Sequence, residues 1–350
     1  MKKKVKIKDI ALYSKGTQIN GDELLEEAKF DYLNGGIKPS GKWDNANCVA
    51  NTVTISEGGN SCGYVNFMKN PFWCGAHCYF LYDTKIDSKY LYYALKSQQV
   101  RIMKLRSGAC MPNIKKTDLG NFEFVCDDNS IEQKKITHIL DKLECVIEQR
   151  KNEIQVFDEL VKARFIEMFG EPSNERFQKK KLKETCRVIT GNTPSRAITD
   201  YYGTHIEWVK TDNIVSGKIN PTKATEGLSQ KGEKVGRVVE KDAILMVCIA
   251  GSVASIGRVC ITNRKVSFNQ QINAVVTDEY NVIFLYVLFQ LSKTYLVSEL
   301  NMSLKGILSK SKLEDKEFIM PPIEMQNEFA DFVMQIAKSK LQVYQCIVAN

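Results

Sequence analysis

The sequence is short of the materials of catalysis. Three histidines in 350 residues and the lack of any Gly-x-Ser-x-Gly run leave little for nucleophilic chemistry. No glycine-rich turn between a strand and a helix offers a cradle for a nucleotide cofactor. Long hydrophobic runs are missing too. The most apolar window, Asn281 to Val297, is broken by Gln290, Ser292 and Lys293 and is too short to span a bilayer. The basic start MKKKVKIKD has no apolar stretch behind it, so no signal peptide is expected, and the eleven cysteines read as reduced thiols. The expectation is a soluble, cytoplasmic protein without membrane contact. A net charge of +8 is a mild basic bias, compatible with a polyanionic partner.

What is present is a long helical stretch, residues 130–170. Ile136, Leu140, Leu143, Ile147, Ile154, Phe157, Val161 and Met168 recur in alternating steps of four and three, with Arg150 and Arg164 in the remaining positions. That 3.5-residue period over about five heptads predicts a coiled-coil seam. Gly170, then Glu171-Pro172, ends it. About 38 helical residues would span about 57 Å, the dimension of a spacer with something at each end.

The seam has a twin. Phe329, Val333, Ile336, Val343 and Ile347 fall in the same heptad frame, and both helices follow a similar lead-in, Ser-Ile-Glu-Gln at 130–133 and Pro-Ile-Glu-Met-Gln at 322–326. Two unrelated amphipathic helices could give as much, but the likeness continues upstream. KIKDIALYSKG at 6–16 corresponds to KLKETCRVITG at 181–191, the predicted helix Ser88–Leu105 to Val282–Leu300, and LGNFEF at 119–124 to LEDKEF at 313–318. The offset grows from 175 to 194 residues, so the second interior is longer. Short strands are expected at Cys48–Ile55, Cys78–Tyr82 and Leu119–Val125 between dense turn signals. Whole-unit repetition organises the chain: a domain at 1–128, a spacer helix at 129–170, a second domain at 171–322, and a C-terminal helix at 323–350 shorter than its twin. The expected class is α+β, two similar domains separated by two long antiparallel coiled-coil helices in a pseudo-two-fold repeat.

The whole chain resembles the DNA-specificity subunit of type I restriction–modification systems. In the second half the likeness is carried by Gly191-Asn-Thr193-Pro194-Ser195, Tyr202-Gly203, Ile206-Glu-Trp208-Val-Lys-Thr211-Asp212, Gly251, Ile256-Gly257-Arg-Val259, Asn269-Gln270 and Pro321-Pro-Ile-Glu-Met-Gln326. In the first it is carried by residues 32–41, Thr52–Ile55, Gly63–Val65 and Pro71-Phe-Trp73. The resemblance implies a subunit without chemistry of its own. Each of two target-recognition domains would read one part of a split, asymmetric site in double-stranded DNA. The helices would set the gap and scaffold two adenine-N6 methyltransferase subunits and an ATP-driven restriction subunit. S-adenosylmethionine, ATP and Mg are expected on those partners, with no cofactor on this chain.

Phosphates are met by Lys, Arg and backbone amides, and bases by Arg, Asn and Gln. The candidates for DNA contact are therefore Lys38, Ser40, Lys42, Trp43 and Asn45 in the first domain. In the second they are Ser195, Arg196, Lys210, Thr211, Asn213, Lys231 and Lys234, while Asn269 and Gln270 read as braces. Asn70-Pro-Phe-Trp73 is similar to the Asp/Asn-Pro-Pro-aromatic motif of amino-methyltransferases but lacks the second proline, so a turn with a buried Trp73 is expected and no catalytic residue. Cys74-Gly-Ala-His77-Cys78 has metal-capable side chains, yet neither Cys48 nor Cys62 completes a four-ligand pattern; a satisfied cluster and no metal site are expected. The competing classes are a coiled-coil adaptor without a DNA role, the recognition half of a self-contained restriction–methylation enzyme, and a detached recognition module of a restriction enzyme acting without methyltransferase partners.

Overall fold

The computed structural model describes residues 2–108, 112–298 and 306–348, with the side chains of Val253, Ile347 and Val348 left aside. It divides into two compact units, 1–148 and 149–350.

The first unit opens with β1 (Lys2–Lys6), α1 (Ile7–Ile10) and β2 (Leu12–Lys15), followed by β3 (Phe30–Leu33), β4 (Gly41–Trp43), β5 (Thr52–Ser56), β6 (Val65–Met68), β7 (Phe72–Cys74) and β8 (Cys78–Tyr82). Next come α2 (Ser88–Lys96), α3 (Gln99–Met103), α4 (Lys116–Gly120), β9 (Glu123–Asp127) and the long α5 (Ser130–Phe169), which runs on into the second unit. One sheet is ordered β2-β8-β5-β6, a smaller one β4-β3-β7, and β1 pairs with β9. The fully buried β5, TVTIS, is a β-branched strand central to its sheet. Val53 and Ile55 meet Leu81, Leu91, Leu95 and Ile102 in the core beneath it. The predicted helix 88–105 is two helices, because the chain tightens into a turn at Ser97–Gln98. Leu119 belongs to α4 and not to the following strand, which starts at Glu123; the predicted strand at 48–55 begins at Thr52.

The second unit repeats this order. It comprises β10 (Lys179–Lys181), α6 (Leu182–Thr185), β11 (Cys186–Thr190), β12 (Tyr202–Val209), β13 (Gly227–Leu228), α7 (Gln230–Val235), β14 (Val238–Val239), β15 (Ile244–Val247), β16 (Val259–Ile261), β17 (Val266–Phe268) and β18 (Ile272–Thr277). It ends with α8 (Val282–Leu291), α9 (Lys293–Val297), α10 (Lys310–Glu314), β19 (Glu317–Ile319) and α11 (Ile323–Val348). The sheets are β11-β18-β15-β16 and β13-β12-β17-β14, with β10 beside β19. The parallel β12–β17 pair answers the parallel β3–β7 pair of the first unit. The predicted helix 282–300 again breaks, at Ser292, and residues 299 and 300 lie outside the described residues.

Two glycines pin the repeat. A Cβ on Gly16 would lie 1.8 Å from the Cys74 carbonyl oxygen, and one on Gly191 would lie 2.1 Å from that of Asn269. Gly16 donates its N–H to Cys78 O and Gly191 to Ile272 O. Backbone approaches backbone so closely at both places that no side chain fits.

The burial of α5 follows its heptads. From residue 138 to 164, Leu140, Ile147, Arg150, Ile154, Phe157, Val161 and Arg164 are half-buried and every other side chain is exposed. Two predicted seam positions differ. Ile136 sits against the core of the first unit, and Leu143 is 40% exposed. Within the second unit the pairing of α5 with α11 is antiparallel. Arg164 bridges to Glu328 at 2.8 Å, Lys340 reaches back to Asp158, and Phe165 meets Phe329 edge-on at 5.5 Å. Phe329 and Val333 are buried and Ile336 and Val343 half-buried on α11; the side chain of Ile347 lies outside the described residues. At 26 residues α11 is shorter than the 40-residue α5.

Candidate nucleic-acid surfaces

In the first unit the candidate surface is built on the antiparallel β3–β4 hairpin, with Asp31 opposite Lys42 and Tyr32 opposite Gly41. Gly35, at φ +82°, turns the chain, and the Ser40 N–H closes the loop onto Tyr32 O at 2.9 Å. Lys38, Ser40, Lys42 and Asn45 are all exposed. Trp43 is half-buried, edge-on to Trp73 with centroids 6.4 Å apart. Trp73 lies in β7 and not in a turn, half-buried, its indole N–H donated to Thr17 O at 2.8 Å. Neither Lys38 nor Lys42 has an ion-pair partner among the described residues. The cysteines behind this hairpin are core: Cys48, Cys74 and Cys78 pack with Leu33 and Phe72. Hydrogen bonding with Cys48 and Cys78, then burial, pushes the Cys74 thiol far up. His77 turns away to Glu57 at 3.3 Å. No group of three or more His, Cys, Asp or Glu among the described residues is arranged to hold a metal ion.

In the second unit the surface is a cation cluster on an aromatic shelf. Tyr202 and Trp208, both from β12, meet edge-on at 6.0 Å. The loop 191–196 ties them down: the Tyr202 hydroxyl donates to Pro194 O at 2.6 Å and the Trp208 indole to Asn192 O at 3.2 Å. The Arg196 guanidinium lies 4.4 Å from the Tyr202 ring centre and 5.2 Å from that of Trp208, and the Lys210 ammonium 5.1 Å from Trp208. Such stacking holds a cation while leaving its outer face in water. Both cations share Glu226. Arg196 donates to Oε2 at 2.7 Å and Lys210 to Oε1, and these two partners, Lys210 first, hold the Glu226 carboxyl below its usual range.

The other predicted positions fall in several environments. Lys231 is exposed and paired with Asp200 at 2.8 Å, while Lys234 and Ser195 are exposed. Thr211 is half-buried, and its carbonyl accepts from Arg258 at 3.2 Å. Asn213 departs from the expectation of a DNA contact: it is 7% exposed, and its amide is used up by Lys210 N, Thr222 Oγ1 and Lys223 O. An amide with both ends engaged in a turn braces that turn and cannot reach a base. Asn269 is likewise a buried brace, folded onto Gln271. Sequence reasoning missed Glu226 and the bidentate Arg264–Glu207 pair, whose two contacts are both 2.8 Å. The one available signal was Tyr202 and Trp208 close together beside Lys210 in the sequence.

The fold is mixed α+β and repeats a domain followed by a long helix, and each domain carries exposed cations near half-buried or buried aromatic rings. The chain belongs to the type I restriction modification DNA specificity domain family, which matches residues 2–156 and 174–344. A type I specificity subunit of Mycoplasma genitalium is 40% identical over 129 residues, 36% of this chain and 33% of that protein. The MjaIX type I restriction enzyme specificity subunit of Methanocaldococcus jannaschii is 25% identical over 303 residues, 78% of this chain and 68% of that protein. Among solved structures, a type I restriction–modification S subunit from M. genitalium superposes with a TM-score of 0.61 at 21% identity, covering 100% of this chain and 92% of that one. The chain spans about a third of the length of the curated Mycoplasma relatives it matches.

Proposed function

We propose that this protein is the sequence-reading subunit of a type I restriction–modification complex and has no catalytic residue of its own. Each recognition domain reads one half of a bipartite, asymmetric target in double-stranded DNA, and the long helices scaffold two adenine-N6 methyltransferase subunits. A restriction subunit completes the assembly. S-adenosylmethionine is bound by the methyltransferase partners and ATP and Mg by the restriction subunit. The reading is supported above all by the family's match to both repeats. The DNA such a subunit reads lies in the cytoplasm, and the protein works there. No helix among the described residues is long and apolar enough to cross a membrane.

Lys38, Lys42, Arg196, Lys210, Lys231 and Lys234 neutralise phosphates, and Ser40, Trp43, Asn45, Ser195 and Thr211 lie beside them against sugar, backbone or base edges. Co-expression with a partner methyltransferase in a methylation-free host, then genome-wide mapping of N6-methyladenine, tests the assignment. A split asymmetric motif is the expected result. A partner that neither co-purifies nor methylates would favour the coiled-coil adaptor.

A further inference from the structure

Glu226 pairs with the two cations that the reading above assigns to DNA phosphates. Its two oxygens are each taken by a different cation, Arg196 on one and Lys210 on the other. Both cations are also held by the Tyr202–Trp208 shelf. The residue is anchored through its backbone, because the Trp208 main-chain N–H donates to the Glu226 carbonyl at 3.0 Å. The cluster is open to solvent, with the Arg196 side chain 56% and the Glu226 side chain 38% exposed. From these observations, and resting on the DNA-reading function above, we propose that Glu226 is an internal phosphate mimic and a specificity-determining residue of the second recognition domain. It withholds Arg196 and Lys210 from duplexes that do not supply the remaining contacts.

The chemistry is a competition for the same donors. A carboxylate and a phosphate both accept charge-assisted hydrogen bonds from a guanidinium and an ammonium. A random duplex that takes both cations must release Glu226, so it gains little from them. A cognate duplex adds base contacts and makes the exchange favourable. The aromatic shelf keeps both cations at the surface whichever anion they face, so releasing the carboxylate does not require them to move far. The first unit differs, since Lys38 and Lys42 have no carboxylate partner among the described residues. Restraint against random sequence is therefore built into the second domain.

The test is a salt titration of the full chain with a random-sequence duplex, comparing wild type with Glu226→Gln, which keeps the shape and removes the charge. Two freed cations should tighten binding several-fold at low salt and steepen the slope of log K against log salt by up to about 2. Binding to the target found by methylation mapping should change less, so the ratio of specific to random binding falls. In Glu226→Gln combined with Arg196→Gln and Lys210→Gln the gain must vanish. Unchanged or weaker random binding by Glu226→Gln, with wild type still binding duplex, overturns the proposal and makes Glu226 a positioning residue or a base reader. Failure of both folded proteins to bind any duplex at low salt overturns the DNA reading itself and the proposal with it.

Discussion

Gln326 holds in the second unit the place that Gln133 holds in the first. Gln133 accepts the Asp87 N–H at 3.3 Å and donates to Asp127 O at 2.7 Å. Gln326 accepts the Asn281 N–H at 2.9 Å and donates to Pro321 O at 2.8 Å. Asp87 and Asn281 are in turn the N-caps of α2 and α8. One buried amide thus joins the first turns of each long helix to the start of the domain's own helix and to the segment leading in.

Replacing Gln326 by Leu leaves the Asn281 N–H and the Pro321 carbonyl without partners. A buried orphan costs about 1–3 kcal/mol, so urea denaturation of Gln326→Leu should show a loss of that size. A loss below about 0.5 kcal/mol would mean that water replaces the amide.

The seam makes an unequal pair of predictions. Phe329→Ala removes a ring packed among Phe165, Phe169 and Phe284 and should cost about 3–5 kcal/mol. Leu143→Lys, at an exposed site on α5, should change the stability of the isolated chain by less than about 0.5 kcal/mol. Thermal melts of the two variants decide it, and a large loss at Leu143 would show that the face is covered in the free protein.

Glu207 offers a pH test. Its bidentate contact with Arg264, followed by the Ala224 N–H, holds its carboxyl below the ordinary glutamate range. A carboxyl depressed in the folded state stabilises above its unfolded value, and the gain fades as pH falls through the lower folded value. The stability advantage of wild type over Glu207→Gln should therefore be full near about pH 7 and shrink below about pH 4.3. Both side chains are partly exposed, so a modest gap of about 1–2 kcal/mol is expected at neutral pH. A gap that widened in acid would contradict the pairing.

Lys38 and Lys42 carry no competing carboxylate among the described residues, so their double replacement by Gln should weaken duplex binding across all sequences. The slope of log K against log salt should fall by about 2. A loss confined to one sequence would make them base readers.

The long helix was legible because its 3.5-residue period is local, and the half-buried positions from Leu140 to Arg164 follow it. The repeat was legible for the same reason, down to Gly16 and Gly191. Leu143 escaped the pattern because periodicity says which face a residue shares, not whether a partner reaches it. The breaks at Ser97–Gln98 and Ser292 were missed because apolar residues continue on either side of them. In the candidate site, exposed cations on loops could be found, but their environment could not. The Arg196–Glu226 contact spans 30 positions, and nothing in a local window ties those residues together. Asn213 shows the converse, since an amide on a turn looks the same in sequence whether it faces solvent or closes the turn on itself.

The two pinned glycines also bear on how such a protein can change. β2 leaves Gly16 beside the very strand, β8, by which the chain returns, and β11 leaves Gly191 beside β18. Everything between is a closed excursion that starts and finishes at neighbouring points. The entropy of closing such a loop grows only slowly with its length. The two excursions can therefore differ in size and surface while the joints stay put, so exchanging one whole excursion for another leaves the rest of the fold undisturbed.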